Sequence, residues 1–307
     1  MASYKLVMYD AGEGARAGIV VGDRVLDVAA SSGRREDVSV RSLLDDWDAA
    51  KARLASLAAN STGLPNRALS SVRLLAPIDR PGAIYCAGAN YKDHVLEMAR
   101  AQNIAPEPDP HDIPGLQSWH FIKTFGCVTG PGEIVNLPPR SKKVDWEAEL
   151  VAILGRTAKD VPVEGALEYV AGYTIADDLS ARDFTRRTGV PDGSPFKYDW
   201  VAHKCFDGSC PIGPWIVPAE DIADPQKLAI ELSVSGVVKQ KSNTSQMIFT
   251  LAEQISHLSG KLTLHPGDVI LTGTPAGVGA GRGEFLKAGD EVRVTIEGIG
   301  ELVNKMA

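Results

Sequence analysis

Val144-Asp145-Trp146-Glu147-Ala148-Glu149-Leu150-Val151-Ala152-Ile153-Leu154 is the stretch from which the rest of the chain is read. Its uninterrupted apolar end has the length and composition of a buried strand. Side chains two apart on a strand share a face, so Glu147 and Glu149 present two carboxylates side by side next to that run. Neighbouring carboxylates repel unless a cation or a proton intervenes. An exposed acidic strand start is the plain alternative, because Glu is mostly a surface residue. A second acidic element, Gly172-Tyr173-Thr174-Ile175-Ala176-Asp177-Asp178-Leu179-Ser180-Ala181-Arg182-Asp183, shifts the balance toward a cation site. Here an apolar strand runs into two aspartates where the chain leaves the sheet, a place where functional residues concentrate. Three hard oxygen ligands without cysteine suit Mg²⁺ or Mn²⁺ better than zinc, with water or substrate in the open positions.

The composition is compatible with such a site and excludes other classes. The 307 residues suffice for one large domain, alone or with a small one. Thirty-two basic against 39 acidic residues leave a net charge of −7, so nothing points to nucleic acid as a partner. With 44% hydrophobic and 23% charged residues, the chain reads as a globular protein rather than a disordered or collagen-like one. No apolar run approaches the roughly 18 residues of a membrane helix. The start, Met1-Ala2-Ser3-Tyr4-Lys5, lacks the basic-then-apolar pattern of a secretory signal, and the expected location is cytoplasmic. Thirty Gly and 19 Pro favour many short strands and turns. The cysteines Cys86, Cys127, Cys205 and Cys210 lack the paired spacing of a zinc cluster and are expected to be plain thiols.

Along the chain, residues 4–8 and 18–28 read as strands, the second folded into a hairpin about Gly22-Asp23. Leu43, Leu44, Trp47, Leu54 and Leu57 put residues 42–58 on a helical period. A boundary near residue 75 divides a small N-terminal α/β domain, 1–75, from the main domain, 76–307. Beyond it, residues 83–88 read as a strand, 92–102 as a helix and 105–115 as a proline-rich loop carrying Pro106, Pro108, Pro110 and Pro114. Strands at 149–154, 170–175, 213–217, 228–235, 268–272 and 291–296 follow, with a helix at 249–258. The fold class is α+β and β-rich.

Asn90-Tyr91-Lys92-Asp93-His94-Val95-Leu96-Glu97 places His94 and Glu97 three apart, on one face of a helix. A carboxylate beside an imidazole orients it and raises its basicity, as a water-activating base requires; a surface pair is the plain alternative. Among the other histidines, only His120, beside Phe121 and Lys123, has neighbours that suggest a pocket; His111, His203, His257 and His265 have no ligand spacing. Gly277, Gly279, Gly281 and Gly283 fit no phosphate-binding fingerprint and read as a turn beside Thr274.

Together Asn90-Tyr91-x-Asp93-His94-x-x-Glu97, Phe121-x-Lys123, Glu147-x-Glu149, Gly172-Tyr173-Thr174 through Asp178-x-Ser180-Ala181-Arg182-Asp183, and Asp268-Val269-Ile270-Leu271-Thr272-Gly273-Thr274-Pro275 resemble the fumarylacetoacetate hydrolase superfamily, in order from about residue 84 to the end. The resemblance implies a mixed β-sheet roll, a homodimer, and Mg²⁺ or Mn²⁺ held by Glu147, Glu149 and Asp178. It makes His94 and Glu97 a water-activating dyad, Lys123 and Lys204 active-site lysines, and Arg182, Thr274 and Tyr91 substrate-binding residues. A lid is implied at the proline-rich loop. The expected reaction is hydrolysis of a carbon–carbon bond in an acylpyruvate or β-diketone-type acid: the cation polarises a carbonyl and stabilises the enolate, and water deprotonated by His94 attacks the other carbonyl. Decarboxylation of an oxaloacetate-type acid, isomerisation of a dienedioate, and a catalytically silent binding protein are the alternatives. Thr124, Thr185 and Cys205 depart from the family pattern, which leaves the substrate open and the metal ligands untouched.

Overall fold

A computed structural model describes residues 4–106 and 108–307. Met1, Ala2 and Ser3, which entered the reading of the N-terminus, and Glu107, inside the proline-rich stretch, lie outside the described residues.

The strand Ala148–Leu154, buried along its whole length, is the spine of the fold. It pairs antiparallel with Val170–Asp177 on one side, bringing Ala148 opposite Asp177, and with Val269–Leu271 on the other. Alternate side chains face two different cores. Leu150, Ala152 and Leu154 pack with Ile175, Leu232, Val294 and Leu302. Val151 and Ile153 turn the other way, toward Leu43, Trp47 and Leu54. Burial on both faces is why this strand reads as a continuous apolar run instead of an alternation.

Outward from the spine the large sheet runs Asn66–Ala68, Arg24–Asp27, Ala15–Val21, Lys5–Asp10, Cys210–Pro218, Val170–Asp177, Ala148–Leu154, Val269–Leu271, Ile84–Ala87, His120–Lys123. The parallel pairing of Val269–Leu271 with Ile84–Ala87 makes it mixed. A five-stranded sheet, Val237–Asn243, Ala229–Val234, Glu291–Ile296, Gly300–Met306 and Ile134–Val135, packs on one face of it. Burial alternates along Ala229–Val234 and Glu291–Ile296, the signature of strands with one inward face.

The N-terminal hairpin, Ala15–Val21 with Arg24–Asp27, forms about Gly22-Asp23. Lys5–Asp10 joins this hairpin to the main sheet at Leu6↔Ile216, so hydrogen bonding continues across the division at residue 75, which we keep as a proposal about chain organisation. The single helical period over 42–58 is two helices, Val40–Leu44 and Trp47–Ala59. The break falls at Asp45-Asp46, a residue type that favours helix ends over helix interiors. The helix beginning at 92 is Lys92–Ala101, and the one beginning at 249 is Leu251–Lys261, started by a capping box between Thr250 and Glu253. Among the described residues no helix is long and apolar enough to cross a membrane.

Candidate active site and metal centre

Two acid-bearing segments are locked together before any ligand is considered. Glu147 precedes the spine strand, and its N–H donates to Asp177 Oδ1 at 2.8 Å while its carbonyl accepts from the Asp178 N–H at 2.9 Å. These bonds bring Glu147, Glu149 and Asp178, all buried, to a point where one carboxylate oxygen of each lies within 4.8 Å of the others.

Three cations surround the cluster. Lys123 Nζ donates to Asp178 Oδ1 at 2.5 Å and to the Leu179 carbonyl at 3.2 Å. Lys204 Nζ bridges Glu147 Oε2 at 2.7 Å and Asp178 Oδ2 at 2.6 Å. Arg182 donates through Nε to Asp145 Oδ2 at 2.9 Å and through Nη2 to Glu147. Burial alone would raise Glu147, but Lys204 and Arg182 hold it below the usual carboxylate range. Lys123 and Lys204 stay charged: burial works against them, and the Asp178 carboxylate more than offsets it.

Glu149 differs. Its Oε2 accepts from the Gly273 N–H at 2.6 Å, and no ion pair to it occurs among the described residues. Burial, then Asp178 and Glu147 beside it, push its carboxyl well above the ordinary range. A divalent cation between the three oxygens would supply the missing positive charge, and an all-oxygen donor set fits Mg²⁺ or Mn²⁺. The residues present therefore fit the implied metal.

His94 and Glu97 lie on one face of their helix, His94 Nδ1 3.8 Å from Glu97 Oε2, which is ion-pair rather than hydrogen-bond distance. Glu97 is anchored instead by the Gly277 N–H at 2.8 Å. Burial pushes Glu97 up, but His94 and that N–H hold it low. Gly277 has φ of 104°, and a Cβ there would meet the Lys239 carbonyl at 2.1 Å, so only glycine brings the backbone this close. The same turn donates Gly279 N–H and Ala280 N–H to Asp145 at 2.6 and 3.0 Å. The glycine-rich turn thus holds both Glu97 and the acid that steadies Arg182.

Above the triad is a recess of about 130 Å³, with His94, Glu147, Glu149, Arg182, Lys204 and Thr274 on its wall. Thr274 is set by Gln240 Nε2, which donates to its hydroxyl at 2.8 Å. Lys123 stands behind Asp178, off the wall. Tyr91 is not brought to the wall: its ring is fully buried in the core, and its hydroxyl has no partner among the described residues.

An aromatic wall that the sequence reading did not assign completes the recess: Trp119, Phe121, Trp200 and His203. Trp200 lies 5.8 Å from Trp119, 5.7 Å from Phe121 and 5.6 Å from His203, centroid to centroid. Trp200 and His203 share the short helix Trp200–Lys204, and the four-residue spacing from Trp200 to Lys204 was a readable sign that both face one side. His120, the histidine expected near the pocket, is off the wall and stacks on His257 at 6.1 Å; burial lowers it to about 4. His203 takes that place.

Among its described residues the proline-rich stretch forms a short helical turn, Pro110–Asp112, and the chain here docks on the helix Leu251–Lys261. His111 Nε2 contacts Glu253 Oε1 at 3.2 Å, and Gln117 Oε1 contacts His257 Nδ1 at 2.6 Å. The segment ends at Trp119, which occupies the space a Cβ on residue 88 would need: such an atom would lie 2.0 Å from the ring, so Gly88 is what admits it. Cys86, Cys127 and Cys210 are buried thiols and Cys205 is half-buried.

Residues 83–307 match the model of the fumarylacetoacetate (FAA) hydrolase C-terminal family. The chain belongs to this family. It is 43% identical over 246 residues to oxaloacetate tautomerase FAHD2B, mitochondrial, of Homo sapiens, covering 79% of this chain and 72% of that one. A putative HpcE protein from Mycobacterium smegmatis superposes with a TM-score of 0.81 at 34% identity, over 99% of each chain. Maleylpyruvate hydrolase from Sphingobium sp. SYK-6, solved with manganese(II) and pyruvate, does so with a TM-score of 0.74 at 28% identity, over 99% of this chain and 98% of that one. As a family member the chain has the roll its motifs implied, and its relatives include tautomerases and hydrolases.

Proposed function

We propose that the protein is a divalent-metal-dependent enzyme that interconverts the keto and enol forms of oxaloacetate or a close 2-oxo dicarboxylic acid. The recess supports this reading: at about 130 Å³ it is far smaller than the roughly 300–1,000 Å³ of sites for drug-sized ligands, yet it combines Glu147 and Glu149 of the acidic triad with His94, Lys204 and Arg182. A four-carbon diacid is of that scale, and the 43% identity to a named oxaloacetate tautomerase supports the same substrate class.

Mg²⁺ or Mn²⁺ held by Glu147, Glu149 and Asp178 would polarise the keto oxygen and stabilise negative charge there. His94 takes a proton from the carbon between the keto group and the distal carboxylate, and Glu97 stabilises the imidazolium. As the carbon–carbon double bond forms, the electron pair moves onto the keto oxygen, and Lys204 faces that charge from a desolvated wall. Return of the proton from His94 to the oxygen completes the enol; the opposite sequence regenerates the ketone. Lys123 keeps Asp178 in place. Arg182 and Thr274 receive the substrate carboxylate.

A second reading, hydrolysis of a carbon–carbon bond in an acylpyruvate or β-diketone, is favoured by His94 at the recess and by the likeness to maleylpyruvate hydrolase. The test incubates Mn²⁺-loaded protein with oxaloacetate, following keto and enol forms by NMR together with pyruvate release, and with an acylpyruvate panel. Faster approach to an unchanged keto–enol ratio without pyruvate is the expected result. Pyruvate with carbon dioxide would make it a decarboxylase, acylpyruvate cleavage alone a hydrolase, and no turnover would return it to a binding role.

We also propose a homodimer, in which a second copy covers exposed apolar side chains such as Ile122, Phe125, Phe196 and Val201, each more than half exposed. Sedimentation at micromolar concentration showing only monomer would refute it. The cytoplasmic location also stays within the proposal, since the human relative is named as mitochondrial.

A further inference from the structure

His203 is buried to 3% exposure on the recess wall, and both of its ring nitrogens lack a hydrogen-bond partner among the described residues. Burial, with Lys204 and Arg182 beside it, lowers its pKa to about 3. The ring is therefore neutral, with one N–H donor and one acceptor nitrogen. A buried donor left unpaired is costly, so an orphan lining a cavity marks a place where a ligand atom completes the pair. In the proposed reaction Lys204 faces the keto oxygen, Arg182 with Thr274 receives one carboxylate, and Lys123 stands off the wall, which leaves His203 for the second carboxylate. His203 does not belong to the acidic ligand cluster, and its ring packs on Trp200, on the aromatic wall.

We propose that His203 binds substrate directly, donating its ring N–H to the carboxylate farthest from the acidic triad, and so selects a dicarboxylic over a monocarboxylic 2-oxo acid. The inference rests on the tautomerase reading for its substrate class. The ring packs on Trp200 at the recess wall, and the low dielectric around a buried imidazole strengthens a hydrogen bond to an anion. Selectivity of this kind is what an otherwise unpaired buried donor confers, because a substrate lacking the second carboxylate leaves it unpaired.

Titration calorimetry on the Mn²⁺-loaded wild type, His203→Phe and His203→Asn tests this with two probes. Oxalate mimics the 2-oxo acid end alone; oxaloacetate adds the distal carboxylate. Losing one hydrogen bond to a charged group weakens binding about tenfold to a hundredfold, so His203→Phe should bind oxaloacetate that much more weakly and oxalate within about threefold of wild type. His203→Asn, which keeps a donor, should recover most of the loss. Equal weakening of both probes, unchanged oxaloacetate binding, or loss of Mn²⁺ binding in either variant would each overturn the proposal. Binding is read apart from turnover: tight oxaloacetate binding without tautomerisation would reject the tautomerase reading and leave the role of His203 standing.

Discussion

Replacing Lys204 with methionine removes a side chain that bridges two of the three clustered acids, at 2.7 Å from Glu147 and 2.6 Å from Asp178. Its charge is almost wholly buried, 4% exposed, with partners at 8% and 1%. Breaking a buried pair by removing one partner costs about 3–5 kcal/mol, because the carboxylates left behind stay desolvated. For a chain of this size 1 kcal/mol corresponds to about 2 °C in Tm, so the metal-free variant should melt about 6–10 °C below wild type. Mn²⁺ at a hundred times its dissociation constant stabilises any protein that binds it only when folded by about 2.7 kcal/mol. At one fixed Mn²⁺ concentration the ion should stabilise Lys204→Met more than wild type, since it then neutralises carboxylates that have lost their lysine. Lys204 depresses Glu147, and a depressed carboxylate contributes stability above its unfolded pKa that is lost as pH falls through its folded pKa. The gap between variant and wild type should thus be full at pH 7 and shrink in acid. Thermal melts with and without Mn²⁺ measure all three effects. A metal-free Tm within about 2 °C of wild type, or no extra Mn²⁺ response, would refute the reasoning.

The contact of His111 with Glu253 and Asp109 raises the His111 pKa, although burial alone would lower it. A raised histidine stabilises fully below its unfolded value near 6.5 and loses that stabilisation as pH rises through the folded value. Hydrogen exchange in residues 108–119, corrected for the intrinsic base-catalysed rate, should show less protection at pH 8 than at pH 6, and His111→Ala should remove that difference in protection. Gly88→Ala should expel Trp119, whose ring would lie 2.0 Å from the new Cβ. Loss of its ring contacts with Phe121 and Trp200, about 1 kcal/mol, should lower Tm by about 2 °C in thermal melts, and an unchanged Tm would show that the ring had not been displaced.

Much of the fold was legible because its central strands are buried on both faces and their neighbours alternate, patterns that survive in one dimension. Glu147 was read as lying on the spine strand; it stands just before it, in the gap after Val144–Asp145, yet hydrogen bonds to Asp177 and Asp178 bring it to the triad. The split of residues 42–58 was hidden because the apolar period continues across Asp45-Asp46. Tyr91 sits three residues from His94 but starts the helix in extended backbone, and its ring enters the core. Trp119 and Trp200 meet only through tertiary structure, so no local spacing could join them. His203 has no ligand spacing at all; its significance lies in two nitrogens whose lack of partners is visible only once the chain is folded.

The central claim is that Glu147, Glu149 and Asp178 hold one catalytic cation, and Mn²⁺ titration of the wild type and Glu149→Gln by calorimetry tests it most directly. One ion per chain on wild type, with affinity reduced at least about tenfold in Glu149→Gln, is the result predicted from removing one of three charged ligands. Equal affinity in the two proteins, or a wild type that binds no ion at millimolar Mn²⁺, would contradict it.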